Sequence, residues 1–264
     1  MRMQLNGYVV ADEDAWLYDW FEIPAFSPAA VRDAIDQNPE GEDLVLEVNS
    51  GGGSVFAGFE MYSVLRNAAC HTVAEVQSLA ASAASVLMLG ADEVHASPVA
   101  QVMIHLPVVQ TDGDRYAHQD SIGVLDSITE SLLNAYTIKA GGKATRDELK
   151  RQMRNETWMT APEAKALGLV DKITGEETID PAAIINCVGS GGIRALAASA
   201  SAPAPGDLRA RYDKLVAEGK APDRTGGKID PAPDPTDHTD HTEELAAARA
   251  RLELEKIRFG GFAR

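Results

Sequence analysis

The chain has 264 residues, enough for one large domain or a domain with an appendage, and its 45% hydrophobic share suffices for a sizeable core. A formal net charge of -16 speaks against nonspecific nucleic-acid binding. Two cysteines, Cys70 and Cys187, make no disulfide framework, the N-terminus lacks the apolar core of a signal peptide, and no run approaches the roughly 18 apolar residues of a membrane span. These features lead us to expect a cytoplasmic protein with no membrane partner.

In chain order, Leu44–Val48 reads as a buried strand that ends at a glycine turn, Gly51-Gly52-Gly53. Val55–Asn67 follows with Val55, Phe59, Tyr62 and Leu65 at helical spacing. Thr72–Gln77 is the next strand, Ala83–Leu89 a small apolar helix, and Val99–Ile104 a short strand leading to His105. Ile122, Leu125, Thr129, Leu132 and Tyr136 mark a long amphipathic helix over Ser121–Ala140, closed by Gly141-Gly142. Thr145 with Glu148, and Thr160 with Glu163, have the spacing of helix capping boxes. Strands alternating with helices imply an α/β fold with parallel β-α-β units, whose ligands gather at the carboxyl ends of the strands.

Composition changes near Gly189. Small residues, Pro and Gly dominate from there, without the aromatic and branched residues a core requires. The folded domain is therefore expected at 1–188, a flexible linker at 189–242 and a charged helical tail at 243–264, with a short helix at Gly206–Ala217 inside the linker.

Three segments carry the chemistry. V-N-S-G-G-G-S-V at Val48–Val55 offers free backbone N–H groups, S-L-A-A-S-A-A-S at Ser78–Ser85 a serine among small residues, and V-M-I-H-L-P at Val102–Pro107 a histidine fixed before a proline. A nucleophile, a base and oxyanion donors are the parts of an acyl-transfer site. Ser82, at the start of a helix, would present its own N–H and that of Ala83 to an oxyanion. Gly53 or Gly52 would supply the other donor. Each segment also has a plain structural reading: close helix packing, a tight turn, a strand-end histidine. The glycines lack the Gly-Lys-Ser/Thr of a phosphate loop, and no G-x-S-x-G elbow is present. Of the six histidines, His71 and His95 lie in turn-like contexts, His118 on a helix surface, and His238 and His241 in the tail, which leaves His105.

Taken together, N-S-x-G-G-x-V at Asn49–Val55, A-A-S at Ala80–Ser82, M-I-H-x-P at Met103–Pro107 and M-T-A-P-E-A-K-A-L-G-L-V-D at Met159–Asp171 resemble the caseinolytic (Clp-type) serine peptidases. Among these, the chain looks closest to the phage head-maturation, or prohead, proteases. The resemblance implies a β-β-α spiral fold of the Clp-protease/crotonase type. It implies Ser82 as nucleophile, His105 as general base, and the N–H groups of Gly53 and Ala83 as the oxyanion hole. Glu156 falls where the family usually has Asp; Asp171 and Asn155 stay open as alternatives for the third member. Ser78 and Ser85 compete with Ser82, because the family's usual Gly is replaced at position 78.

The resemblance further implies a ring-forming homo-oligomer stacked through the helix Ser121–Ala140, with no cofactor, no metal and any unfolding ATPase a separate protein. With the unusual tail, it suggests a phage prohead protease that cuts scaffold and capsid proteins inside an immature capsid in the host cytoplasm. A housekeeping Clp-type peptidase and a crotonase-fold acyl-CoA enzyme are the alternatives, and a catalytically dead capsid scaffold is the non-enzymatic one.

Overall fold

A computed structural model of the chain describes residues 1–175 and 203–218, together with the strand pairing of 257–258. The chain divides into one unit of Met1–Ala202 with Ile257–Arg264 and a second of Pro203–Lys256. The expected boundaries at 188 and 242 lie outside the described residues.

The first unit is an eight-stranded sheet with helices packed on it. Four elements come first, none of them anticipated above: β1 (Arg2–Val9), α1 (Ala15–Trp20), β2 (Ala25–Phe26) and α2 (Pro28–Asp36). Then follow β3 (Leu44–Gly53), α3 (Val55–Arg66), β4 (Thr72–Ala81), α4 (Ala83–Leu87) with a 3-10 turn at Met88–Gly90, β5 (Glu93–Ala96) and β6 (Gln101–Ile104). The remainder is β7 (Val108–Val109), α5 (Arg115–Ala140), α6 (Arg146–Arg154), β8 (Thr157–Thr160), α7 (Ala161–Ala166) and β9 (Lys172–Ile173). Strand order is β2-β1-β3-β4-β5-β9, all parallel, and β6 lies off this path between β4 and an antiparallel β8. This is the expected α/β architecture.

Strand β4 sets up the site because it has two partners on one edge. Its first half, Val73–Val76, pairs with β5, and its last residues, Leu79–Ala81, pair with β6. The sheet therefore forks where β4 ends, and a new short sheet of β4, β6 and β8 opens beside Ser82.

The three glycines form no turn: they extend β3, with Gly52 opposite Tyr8 and Gly53 opposite Val9. The glycine run masked this, since β1 was not foreseen as a partner. The physical need for glycine is close approach. A Cβ on Gly53, whose φ is +152°, would sit 2.1 Å from the Val9 carbonyl oxygen.

Other elements differ at their edges. The long helix α5 begins at Arg115, earlier than expected, because the Asp114 carboxylate accepts from the N–H groups of Tyr116 and Ala117. It ends as expected, at a left-handed Gly141. The capping box at Thr160 is present, with the Glu163 carboxylate accepting from the Thr160 N–H, and Thr145 accepts from the Glu148 N–H. His95 sits in β5, not in a turn.

In the second unit, α8 (Pro205–Ala217) matches the helix expected at Gly206–Ala217, with Leu208 and Tyr212 buried. Within the first unit, a two-residue strand, β10 (Ile257–Arg258), pairs antiparallel with β7. The helix expected over 243–264 does not hold at those two residues, where backbone pairing to an edge strand wins over weak helical periodicity; the rest lies outside the described residues. Among the described residues no helix is long and apolar enough to cross a membrane.

Candidate active site

Ser82 stands between β4 and α4 with φ 59° and ψ −124°, a conformation a side chain rarely adopts. Pairing of Ala81 with Met103 brings the ends of β4 and β6 side by side, and the Ser82 N–H donates to the Met103 carbonyl at 2.9 Å. His105 follows β6 directly, so its imidazole reaches the serine: Nε2 lies 3.0 Å from Ser82 Oγ. Two residues distant in sequence are thus brought together by one strand pairing.

Small neighbours make room for this. A Cβ on Gly52 would meet the Ser82 Cβ at 2.7 Å, so glycine there lets β3 pass against the serine. Gly58 on α3 lies against α4 less tightly, where a Cβ would lie 3.1 Å from the Ala83 carbonyl oxygen. Ser82 is 0% and His105 4% exposed. Burial pushes the His105 pKa down from 6.5 to about 4, so the ring is neutral at physiological pH.

This depression has a stability consequence. The unfolded chain takes up the histidine proton near pH 6.5 and the folded chain only near 4. The stabilisation from a neutral buried ring is therefore complete above pH 6.5 and is lost as pH falls towards 4, an effect of about 3 kcal/mol. In urea unfolding at pH 7.5 and pH 4, His105→Gln should lose less stability on acidification than the parent chain by about that amount. An equal loss in both would place the histidine's titration elsewhere.

The other predicted residues separate clearly. The antiparallel register of β6 and β8 ends with Ile104 opposite Thr157, so His105 follows the last pair on one strand and Glu156 precedes it on the other. Glu156 is half-buried and has φ 49°, between the end of α6 and β8. Asp171 is engaged elsewhere: its Oδ2 accepts from the Val94 N–H at 2.7 Å and from Lys139 Nζ at 2.5 Å. Asn155 is the exposed C-cap of α6.

Of the rival serines, Ser78 is exposed and donates to Asn49 Oδ1. Ser85 is buried and donates to the Ser82 carbonyl at 2.6 Å. Neither bonds to His105 as Ser82 does.

Two N–H groups expected to face an oxyanion have partners. That of Ser82 is taken by Met103, and that of Gly52 donates to Ser50 Oγ at 3.1 Å. Sequence reasoning also missed Ser50, whose hydroxyl ties Gly52 to the Gly7 carbonyl at 2.6 Å. Its signal was its place beside the glycines, but its partner lies on the unforeseen β1.

Comparison with known proteins gives the family. The Clp protease family matches residues 33–177. Similar proteins include the ATP-dependent Clp protease proteolytic subunit of Porphyromonas gingivalis, 29% identical over 53% of this chain and 63% of the relative. That of Bacteroides fragilis is 30% identical over 53% of this chain and 67% of the relative. Subunit 1 of Chlamydia abortus is 34% identical over 52% of this chain and 71% of the relative. The chain therefore spans just under two thirds of the length of some of these proteins. With more than half of its length inside the match, and the serine and histidine motifs within it, the chain belongs to the Clp protease family, a family of serine peptidases.

Proposed function

We propose that this chain is a serine endopeptidase that cuts peptide bonds through an acyl-enzyme. The observation that carries the reading is the 3.0 Å contact of Ser82 Oγ with a neutral, buried His105, on a serine held at positive φ. His105 Nε2 takes the hydroxyl proton as Oγ attacks the substrate carbonyl carbon, and then returns that proton to the leaving amine. Water, deprotonated by the same ring, releases the acyl group. Glu156 is the acid that would orient the ring, since Asp171 is committed to Lys139 and β5.

The oxyanion would be met by the N–H groups of Ala83 and Gly53, the Gly52 donor being occupied by Ser50. Removal of one such donor in a hydrolase typically costs about 3 kcal/mol, roughly a hundredfold in rate. An extended substrate suits the edge beside the site. Strand β7, just past His105, accepts an antiparallel partner in this chain, Ile257–Arg258.

For the setting, the relatives favour a housekeeping proteolytic subunit over capsid maturation. Their names couple proteolysis to ATP, and this chain carries no phosphate-loop motif, so an unfolding ATPase would be a separate partner. Scaffold and capsid substrates inside a prohead rest on the composition of 189–264 alone. Homo-oligomerisation follows from the family's ring assembly; on the first half of α5, Tyr116 at 72% and Ile122 at 58% exposure are large side chains that a second copy could cover.

A fluorophosphonate probe tests the chemistry directly. Peptide mapping should locate one adduct on Ser82. Labelling of Ser78 or Ser85 instead, or no labelling of folded protein, would overturn the assignment, and the latter would favour a crotonase-type enzyme or an inert domain.

A further inference from the structure

A buried polar chain ends on the Ser82 carbonyl oxygen. Tyr136, on α5, is 0% exposed, and its hydroxyl lies 2.7 Å from Ser85 Oγ. Ser85 Oγ lies 2.6 Å from the Ser82 carbonyl oxygen, which also accepts the Ser85 N–H at 3.0 Å. A serine hydroxyl has one proton. With that proton given to the carbonyl, Tyr136 must be the donor to Ser85, and the chain runs Tyr136 to Ser85 to the Ser82 carbonyl. Burial also holds the Tyr136 phenol protonated well above the usual range, as a donor requires.

The Ser82 carbonyl and the Ala83 N–H are opposite ends of one planar peptide group. Hydrogen bonds accepted by the oxygen draw electron density towards it and make the N–H a stronger donor. They also fix the rotation of the plane, which the positive φ of Ser82 leaves in need of support. We infer that Tyr136 and Ser85 are positioning residues for catalysis: they orient and polarise the Ser82–Ala83 peptide so that its N–H meets the oxyanion. This rests on the reading of Ser82 as nucleophile and Ala83 N–H as oxyanion donor. Simple mutual satisfaction of two buried hydroxyls would need the same contacts but no effect on chemistry.

The test is steady-state kinetics on a fluorogenic peptide with the full-length chain, alongside the affinity of a peptide boronate, whose tetrahedral adduct places a hydroxyl at the oxyanion site. Tyr136→Phe, Ser85→Ala and the double variant should each lower kcat about tenfold, with KM changed less than about twofold and boronate affinity falling in parallel. The double variant should be no worse than the singles, because the two hydroxyls act as one relay. Wild-type kcat and boronate affinity in Tyr136→Phe, with only the melting temperature lowered, would overturn the inference. If that variant does not fold, the same readings on Ser85→Ala decide it. A parent enzyme inert to both peptide and boronate would instead overturn the nucleophile assignment, and this inference with it.

Discussion

Ser82→Ala should abolish peptide cleavage, lowering kcat by about 10⁶ and leaving only what binding and oxyanion donors contribute. The fold should survive. The backbone strain at φ 59° comes with any Cβ, which alanine keeps, and the Ser82 N–H bond to the Met103 carbonyl is unaffected. What is lost is one buried hydroxyl contact with His105, worth about 1 kcal/mol and so a few degrees of melting temperature. Circular dichroism melts with a gel-based cleavage assay would check both halves. Folded Ser82→Ala that still processes substrate at the parent rate would remove Ser82 from the mechanism and return attention to Ser85, the other buried serine of the segment.

Glu156→Ala should lower kcat by about 10⁴, with KM little changed, because the imidazole would lose the group that fixes its tautomer and stabilises the imidazolium formed during attack. Position, not residue type alone, makes this expectation sharp. Glu156 and His105 flank the last β6–β8 pair, Ile104 with Thr157, whereas the Asp171 carboxylate is held by Lys139 and the β5 backbone. Asp171→Asn should therefore act on stability, through β5 and α5, with kcat little changed. A loss of less than about tenfold in Glu156→Ala would mean that this site works as a serine–histidine pair without a charged third member.

The sequence carried the pattern of the site further than its shape. Ser82 and His105 were legible as candidates only through the joint order of the motifs and the resemblance they carry, since each segment alone also fits close packing or a structural strand-end histidine. The strands at Leu44 and Thr72 and the helix at Val55 were legible from apolar spacing, and α8 from a short helical stretch in a Pro-rich region. Lengths were not. Strand β3 continues through three glycines and β4 through Ala81, because partner strands supply hydrogen bonds that local propensity does not foresee.

The first 43 residues show the same limit. Gly7, with φ +90°, must be glycine because a Cβ would sit 1.9 Å from the Pro24 carbonyl oxygen, a contact between segments far apart in sequence.

By itself, then, the sequence determined the α/β class from the alternation of strand and helix patterns, and the order of motifs whose family resemblance singled out Ser82 and His105 as candidates. Only the tertiary structure decided which amides remain candidates for the oxyanion, that Asp171 is occupied, and that Tyr136 is linked to the Ser82 carbonyl through Ser85. Each of these is a pairing between distant segments. Such pairings are set by strand register and by what the packed neighbours leave unfilled, and no local pattern encodes them.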